Sequence, residues 1–242
     1  MAELHVVALS GGKDSTAMAL RLRELHHDRD FTYICTPTGN ELPEMWEHWR
    51  KLGVLLGKPI QPVIGGELIS LIREQRMIPN HRARFCTRML KIEPYAAWLM
   101  QMSDHYDRIV SYVGIRADEP EREAGDYTAV PGVEMVFPMR EWGWGLGDVW
   151  SYLAVKSIII PERSDCALCF WQRLYEWYML WKFHIAQWME GEAIEEEMGH
   201  TFRSPSRDTW PAAMKDMRAR FEKGDVPRDT RRTQPGCRVC RA

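Results

Sequence analysis

The chain reads Ser10-Gly11-Gly12-Lys13-Asp14-Ser15-Thr16 between an apolar run at residues 5–9 and a helical pattern. Strand, glycine-rich turn and helix in this order are typical of a phosphate-binding loop. Glycines allow close backbone approach, and a helix start offers unpaired N–H groups and a positive dipole end. The Lys13 ammonium and the serine hydroxyls can also bind phosphate, and the Asp14 carboxylate suits Mg²⁺. All seven residues are therefore candidate nucleotide ligands, whereas an ordinary turn would explain only the two glycines.

The spacing excludes a Walker A loop, which has four residues between its first glycine and its Gly-Lys pair. The heptad instead resembles the PP-loop of the ATP pyrophosphatases, the adenine nucleotide α-hydrolase superfamily. This resemblance implies that ATP is cleaved between its α- and β-phosphates. Pyrophosphate is then released, and AMP remains on an activated substrate.

Length and composition indicate a globular protein of the cytoplasm. The 242 residues suffice for one large α/β domain with an appendage. The first residues do not have the pattern of a signal peptide, and no apolar run approaches the roughly 18 residues that a membrane span needs. In that compartment the six cysteines are expected to be thiols, ligands or catalysts rather than disulfides.

Strand-like and helix-like segments alternate in the first half of the chain. The pattern predicts an α/β fold, with a mostly parallel five-stranded sheet and helices on both faces. The expected strands lie at residues 5–9, 31–35, 59–64, 108–113 and 134–137. We expect a PP-loop domain at 1–160 and a helical, cysteine-rich C-terminal extension at 161–242.

Ligands of such sheets bind beyond the carboxyl ends of the strands, so the loops after the strands are informative. Thr38 and Gly39 follow the second expected strand, where an ordinary turn is the alternative interpretation. Gly114 and Arg116 follow the fourth. Glycine permits close backbone approach there, and the guanidinium offers a planar fork for phosphate. A surface salt-bridge cluster is the alternative for Arg116.

Cys86 lies in a segment with four cationic side chains, Arg82, Arg84, Arg88 and Lys91. Neighbouring positive charge lowers the pKa of a thiol, which makes Cys86 a candidate nucleophile or metal ligand. A helix start with incidental charges is the alternative. Cys35, on an apolar strand, is expected in the core.

Three segments resemble, in the right order, signatures of the phosphoadenosine phosphosulfate reductase-like branch of the superfamily. They are FCTRMLKIEP at 85–94, GIRADE at 114–119 and WGWGLGDVW at 142–150, and the similarity spans about residues 5–175. The branch includes sulfonucleotide reductases, the ATP sulfurylase small subunit and the sulfur-transfer proteins of DNA phosphorothioation.

Two departures from the reductases favour ATP-dependent activation. Reductases usually have a degraded loop, whereas this heptad is intact, and their C-terminal Glu-Cys-Gly-Leu-His-like segment is replaced by PGCRVCRA at 235–242. We expect the loop to hold the β,γ-phosphates with Mg²⁺ near Asp14, while Lys13, Arg116 and Lys91 stabilise the developing charge. Sulfur delivered through Cys86 or a metal cluster then displaces AMP. A sulfonucleotide reductase and a non-catalytic, metal-stapled nucleic-acid-binding protein are the alternatives.

Two Cys-x-x-Cys pairs, Cys166 with Cys169 and Cys237 with Cys240, have 67 residues between them. Four thiolates suit Zn²⁺ or an iron–sulfur cluster, and independent reactive thiols are the alternative. The resemblance favours a [4Fe–4S] cluster. It also allows a three-cysteine site made by Cys86, Cys166 and Cys169.

The last forty residues are basic, with eleven lysines and arginines against five acidic residues. Such a tail is compatible with a nucleic-acid partner, such as tRNA or DNA, and equally with a solvated face. A sulfur-donor protein is a further expected partner, whereas a membrane is not. The aromatic stripe of Leu174, Trp177, Tyr178, Trp181 and Trp188 is expected to be core, with a platform for bases as the alternative.

Overall fold

The computed structural model describes residues 2–125, 127, 129–205 and 208–230. They divide into two compact units. The first comprises the chain up to Gly65 together with Arg88–Ser164, and the second comprises Gly66–Thr87 together with the chain from Asp165. Gly66–Thr87 thus groups with the C-terminal part of the chain, whereas the domain boundary expected at residue 160 stays a prediction.

The first unit contains a five-stranded sheet. Its strands are β1 (Glu3–Ala8), β2 (Phe31–Cys35), β3 (Ile60–Pro62), β4 (Arg108–Tyr112) and β5 (Val133–Val136). Their order is β3-β2-β1-β4-β5, and each neighbouring pair is parallel. The α/β class and the positions of all five expected strands are thereby confirmed. Chain order changes direction at β1, so the loops after β1 and β4 meet at the switch point where such sheets bind ligands.

The helices of the described chain are, in sequence order, α1 (Lys13–Leu25), α2 (Pro43–Leu56), α3 (Leu68–Gln75), α4 (Phe85–Thr87), α5 (Glu93–Ser103), α6 (Pro138–Glu141), α7 (Leu146–Val155), α8 (Leu174–Phe183), α9 (Ile185–Met198) and α10 (Met214–Glu222). A π-helical turn, Arg88–Ile92, precedes α5. Among these helices, none is long and apolar enough to cross a bilayer.

Helices cover both faces of the sheet because the side chains of a strand alternate between the faces. On one face, Val7 of β1 packs with Met18 of α1, Leu52 of α2 and Val149 of α7. On the other, a second cluster joins Leu4 and Val6 of β1 to Tyr95 and Leu99 of α5. Cys35 is buried in β2, as expected for a core cysteine, and burial raises the pKa of its thiol to about 12.

The second unit is helical and has an aromatic core. Trp177 and Trp188, both completely buried, meet edge to face at 6.3 Å, and Trp188 contacts Phe221 of α10 at 5.8 Å. These two residues of the aromatic stripe are therefore core residues. The segment before Cys86 belongs to this unit through Arg73, which bonds Glu197 of α9, and through the Ile78 N–H, which donates to Nε2 of His200.

Candidate active site

The PP-loop heptad connects β1 to α1 and leaves the start of α1 uncapped. Gly12 is the N-cap residue, and no side chain caps the helix there. Gly11 has φ of +78°, and a Cβ at this position would lie 2.4 Å from Cε of Met45 and 2.6 Å from Nε1 of Trp49. Only glycine fits this turn, and the resulting loop points free backbone N–H groups and the positive end of α1 at one place.

The two serines of the heptad hold the loop together. Oγ of Ser15 donates to the Gly12 carbonyl at 3.2 Å and lies 3.0 Å from Oγ of Ser10, which accepts the Gly12 N–H at 3.3 Å. Each hydroxyl thus supports the loop from inside. Ser10 is exposed, so its hydroxyl is also accessible to a ligand.

Asp14 is the buried carboxylate at the centre of the site. Its Oδ2 accepts from Nζ of Lys13 at 2.9 Å and from Nη1 of Arg116 at 3.0 Å. Its Oδ1 is buried and has no hydrogen-bond partner among the residues that the structure describes. Unpaired buried carboxylate oxygens are costly unless a cation or a donor binds them, so Oδ1 is a vacant ligand position suited to a divalent cation.

Arg116 joins the loop after β4 to the PP-loop. Besides Asp14, its guanidinium binds Asp118 through Nε at 2.8 Å and Glu119 through Nη2 at 3.1 Å, and its side chain is only 5% exposed. Burial lowers its pKa, but these three carboxylates outweigh burial and raise the pKa. Arg116 is therefore a fixed cation. Arg116 thus forms the salt-bridge cluster that was the alternative interpretation of this residue. The cluster is buried, however, and includes Asp14 of the PP-loop.

Gly114 permits a close approach, but to the protein's own backbone. A Cβ there would lie 3.1 Å from the N and 3.2 Å from the Cα of Ser15. The loop after β4 can therefore rest directly on the first turn of α1. Asp118 extends this support, because its Oδ2 accepts the Leu146 N–H at 2.9 Å and its Oδ1 binds Arg116.

The loop after β2 carries the other predicted pair, Thr38 and Gly39. Thr38 is buried, and both its N–H and its hydroxyl donate to Oε1 of Glu41 at 2.7 Å. Oε2 of Glu41 is buried without a partner in the described part of the chain. The turn thus contains a second buried carboxylate oxygen of the first unit without a hydrogen-bond partner among the described residues.

His48 is a residue of the site that sequence reasoning missed. Its Nε2 lies 3.2 Å from Oγ1 of Thr16, and both side chains are buried. Burial and Lys51 lower the pKa of His48, which favours the neutral ring at this contact. A signal was present, because His48 shares the buried face of α2 with Met45 and Leu52, where an apolar residue is expected.

The remaining predicted residues are Lys91 and the cysteines. Lys91 is in the π-helical turn and is half-buried, whereas Cys86 is half-buried in α4 of the second unit. In that unit Cys166 and Cys169 contact each other. The pKa of the Cys169 thiol is raised, mainly by a hydrogen bond with the Cys166 thiol and secondly by burial. Cys237 and Cys240 lie outside the described residues.

The described residues contain no group of three or more histidine, cysteine or acidic side chains placed to hold a metal. Cys166 and Cys169 nevertheless fit half of a four-thiolate site, because their sulfurs can reach one centre. The other half depends on Cys237 and Cys240.

Comparison with known proteins identifies the family. A family model described as the phosphoadenosine phosphosulfate reductase domain matches residues 4–162. Among solved structures, the phosphate complex of phosphoadenylyl-sulfate (PAPS) reductase from Candida auris is similar, with 12% identity, a TM-score of 0.49, and coverage of 65% of this chain and 75% of that one. A structure described as a predicted subunit of tRNA methyltransferase from Methanocaldococcus jannaschii has 17% identity, a TM-score of 0.38, and coverage of 64% and 75%. No curated protein sequence matches the chain. The family match spans well over half of the sequence, and the chain therefore belongs to the phosphoadenosine phosphosulfate reductase domain family, the branch of the PP-loop superfamily that its motifs indicate.

Proposed function

We propose that this protein cleaves ATP to AMP and pyrophosphate to activate a substrate for sulfur transfer to a nucleic acid or a related acceptor. One observation carries the proposal: an intact PP-loop in which a buried aspartate, Asp14, keeps one carboxylate oxygen vacant beside the uncapped start of α1. An enzyme that receives an already adenylylated substrate has no need of a loop for the leaving pyrophosphate. The matched family is enzymatic, which supports a catalytic role.

The β,γ-phosphates would bind the backbone N–H groups at the start of α1 and the exposed hydroxyl of Ser10. A magnesium ion fits Oδ1 of Asp14, where it would neutralise phosphate charge. Lys13 and Arg116 already share Oδ2 of Asp14, so they fix the position of the carboxylate, and Mg²⁺ would supply the further positive charge that a polyanion needs. Catalysis would then rest on positioning and electrostatics.

In the activation step an acceptor oxygen attacks the α-phosphorus of ATP. The bond from that phosphorus to the bridging oxygen breaks, and pyrophosphate leaves with the electron pair while the acceptor loses its proton to solvent. The terminal sulfur of a persulfide, R–S–S⁻, next attacks the activated carbon or phosphorus, the bond to the AMP oxygen breaks, and AMP leaves. A second thiol then attacks the carrier sulfur R–S, so that the S–S bond breaks, the acceptor keeps the transferred sulfur, and the two carrier thiols end as a disulfide. Lys91 remains a proposed additional cation for the first step.

For the sulfur step, we propose Cys86 as nucleophile or ligand and the pairs Cys166–Cys169 and Cys237–Cys240 as a metal site. A [4Fe–4S] cluster would supply redox or sulfur-carrying chemistry, whereas Zn²⁺ in the same place would only fasten the chain. The contact between Cys166 and Cys169 supports a shared centre. Anaerobic purification followed by iron, zinc and sulfide analysis separates these two possibilities, with a Cys166→Ser variant as the control.

A second function, reduction of an adenylylated sulfate by a thiol, is favoured by the family match over residues 4–162. It predicts sulfite release that depends on Cys86 or Cys240 and needs no ATP cleavage. Parallel assays of one preparation distinguish the two functions: pyrophosphate from ATP with candidate tRNA, DNA or sulfate, and sulfite from the adenylylated sulfate with a dithiol. Pyrophosphate without sulfite supports activation, and sulfite without pyrophosphate supports reduction.

A further inference from the structure

Trp49 of α2 presents a buried hydrogen-bond donor to the PP-loop. The residue is 7% exposed, and its Nε1 has no partner among the described residues. That nitrogen lies 2.6 Å from the position that a Cβ on Gly11 would take. Nε1 of Trp171 and Nε1 of Trp177 are also buried without a partner among the described residues, so the distinguishing feature of Trp49 is that its donor lies against the PP-loop, where a ligand can supply the acceptor.

Two acceptors of the surrounding loop are already in use. The Gly12 carbonyl accepts from Ser15 Oγ and from the Thr16 N–H, and Oγ of Ser10 accepts the Gly12 N–H. The neighbouring helix residue, His48, has its hydrogen bond to Thr16. His48 and Trp49 are adjacent in α2. The His48 ring is hydrogen-bonded to Thr16, whereas the Trp49 N–H donor has no partner among the described residues.

We propose that Trp49 is a phosphate-binding residue of this site, whose Nε1–H donates to an oxygen of the phosphate chain held by the PP-loop. The proposal rests on the proposed function to the extent that the loop binds a phosphate chain. A neutral donor suits this place, because it adds a directed hydrogen bond without another charge beside Lys13 and Arg116. The loop covers Nε1, so the contact forms when Gly11 shifts, and a residue without a side chain permits that shift.

The test compares Trp49→Phe with Trp150→Phe in the full-length protein. Both changes remove one indole N–H and keep an aromatic ring, but Trp150 of α7 is 48% exposed, which makes it the matched control; the exposed Trp46 does not serve, because its ring contacts that of Trp49 at 5.1 Å. Binding of ATP, pyrophosphate and AMP is measured by calorimetry, and Tm is measured without ligand. Trp49→Phe is expected to weaken ATP and pyrophosphate binding about tenfold, the loss typical of one hydrogen bond to a charged group.

AMP does not carry the β,γ-phosphates, so its affinity should stay within about twofold. Loss of the unpaired donor favours a higher Tm and loss of buried indole volume favours a lower one, so Tm only confirms that the variant is folded at the assay temperature. Trp150→Phe should alter none of these values. A loss of affinity for ATP and pyrophosphate with AMP binding retained is a combination that a purely structural role of Trp49 would not give.

Three results overturn the inference: ATP and pyrophosphate binding at the wild-type level in Trp49→Phe, an equal loss for AMP, or the same loss of ATP and pyrophosphate binding in Trp150→Phe. Wild-type protein that binds neither ATP nor pyrophosphate overturns both this inference and the proposed function. Wild-type protein that binds ATP but never releases pyrophosphate overturns the proposed function alone, since the binding comparison still decides the role of Trp49.

Discussion

Arg116 holds together three carboxylates, those of Asp14, Asp118 and Glu119, and its side chain is almost fully buried. Removing one member of a buried ionic group leaves its partners desolvated and unpaired. We therefore expect Arg116→Ala to lower the free energy of unfolding by about 3–5 kcal/mol. Urea denaturation followed by circular dichroism measures this change.

Arg108 provides the matched control at this scale. It also pairs with two carboxylates, Glu3 and Glu134, but its side chain is 51% exposed. Because exposed pairs contribute little, Arg108→Ala should lower the free energy of unfolding far less than Arg116→Ala does. Equal losses for the two variants would contradict the view that the buried arginine cluster supports the site.

The sequence predicted that Asp14 and Arg116 belong to one ligand site, because each follows a strand of the expected sheet, but the strand order that makes β1 and β4 neighbours comes from the structure. It did not predict that Arg116 would be saturated. Asp118 and Glu119 lie two and three residues further on, but whether they fold back onto the guanidinium depends on the turn that Gly114 makes against Ser15. His48 was missed because one helical histidine among apolar residues carries no sign of its partner.

At the scale of elements, Glu195 of α9 is a buried acid that ties two segments together. Its carboxylate accepts the Phe202 N–H at 2.9 Å and the Met214 N–H at 2.7 Å. Burial raises its pKa to about 7, although the two N–H groups oppose the rise. Between about pH 4.5 and 7 the folded protein therefore binds more protons than the unfolded chain does, so stability falls as pH rises.

The loss attributable to Glu195 should be on the order of 3 kcal/mol between pH 4 and pH 8, from the difference between its folded and unfolded pKa. Urea denaturation at closely spaced pH values measures it. Glu195→Gln should remove this component of the pH profile, since an amide does not titrate. An identical pH profile for the variant and the wild type would show that other groups cause the dependence.

Element positions were predictable wherever a periodic pattern was strong, and less so at their ends. Helix α2 begins at Pro43, because Glu41 accepts from Thr38 in the preceding turn and proline suits the first helical position. Strand β3 ends at Pro62, short of residue 64, although the Val63 N–H still donates to the Cys35 carbonyl at 2.8 Å, and β3 is an edge strand, where proline is tolerated. The π-helical turn at Arg88–Ile92 has no counterpart in the apolar periodicity.

At the scale of the whole molecule, fewer cations of the basic tail are available for a nucleic-acid partner than its composition indicates. Arg203 is buried and donates to the carbonyls of Trp210 and Pro211, and Arg218 binds Glu192 through two hydrogen bonds. Arg220 binds Asp225 and lies 3.8 Å above the ring of Trp210. Composition gives the number of cations, but only the fold determines which of them pair within the protein.

If the tail binds nucleic acid, residues other than these must supply the phosphate contacts. We expect the double change Arg231→Ala and Arg232→Ala to lower the salt dependence of single-stranded oligonucleotide binding by about two contacts. Arg218→Ala should leave that slope unchanged, because its guanidinium is already paired. Fluorescence anisotropy between low and high salt measures both slopes, and a reduced slope for Arg218→Ala alone would reverse the assignment.

The sequence also did not predict that Gly66–Thr87 groups with the C-terminal part of the chain. Only the fold reveals the pairs Arg73–Glu197 and Ile78–His200, which are more than a hundred residues apart in the chain. The division of the chain into two units places Cys86 in the same unit as Cys166 and Cys169. These are the three cysteines of the alternative metal site. Metal analysis of Cys86→Ser beside Cys240→Ser would separate the two ligand sets.

The central claim is ATP cleavage at the PP-loop, and pyrophosphate release tests it most directly. Anaerobically purified wild-type protein is incubated with ATP, Mg²⁺ and each candidate acceptor, beside the double variant Lys13→Ala and Asp14→Ala. The account predicts pyrophosphate and AMP in equal amounts from the wild type, and a loss of about a hundredfold or more in the variant, since both charges at the loop disappear. Undiminished ATP cleavage by the variant, or no pyrophosphate from the wild type with any acceptor, would contradict it.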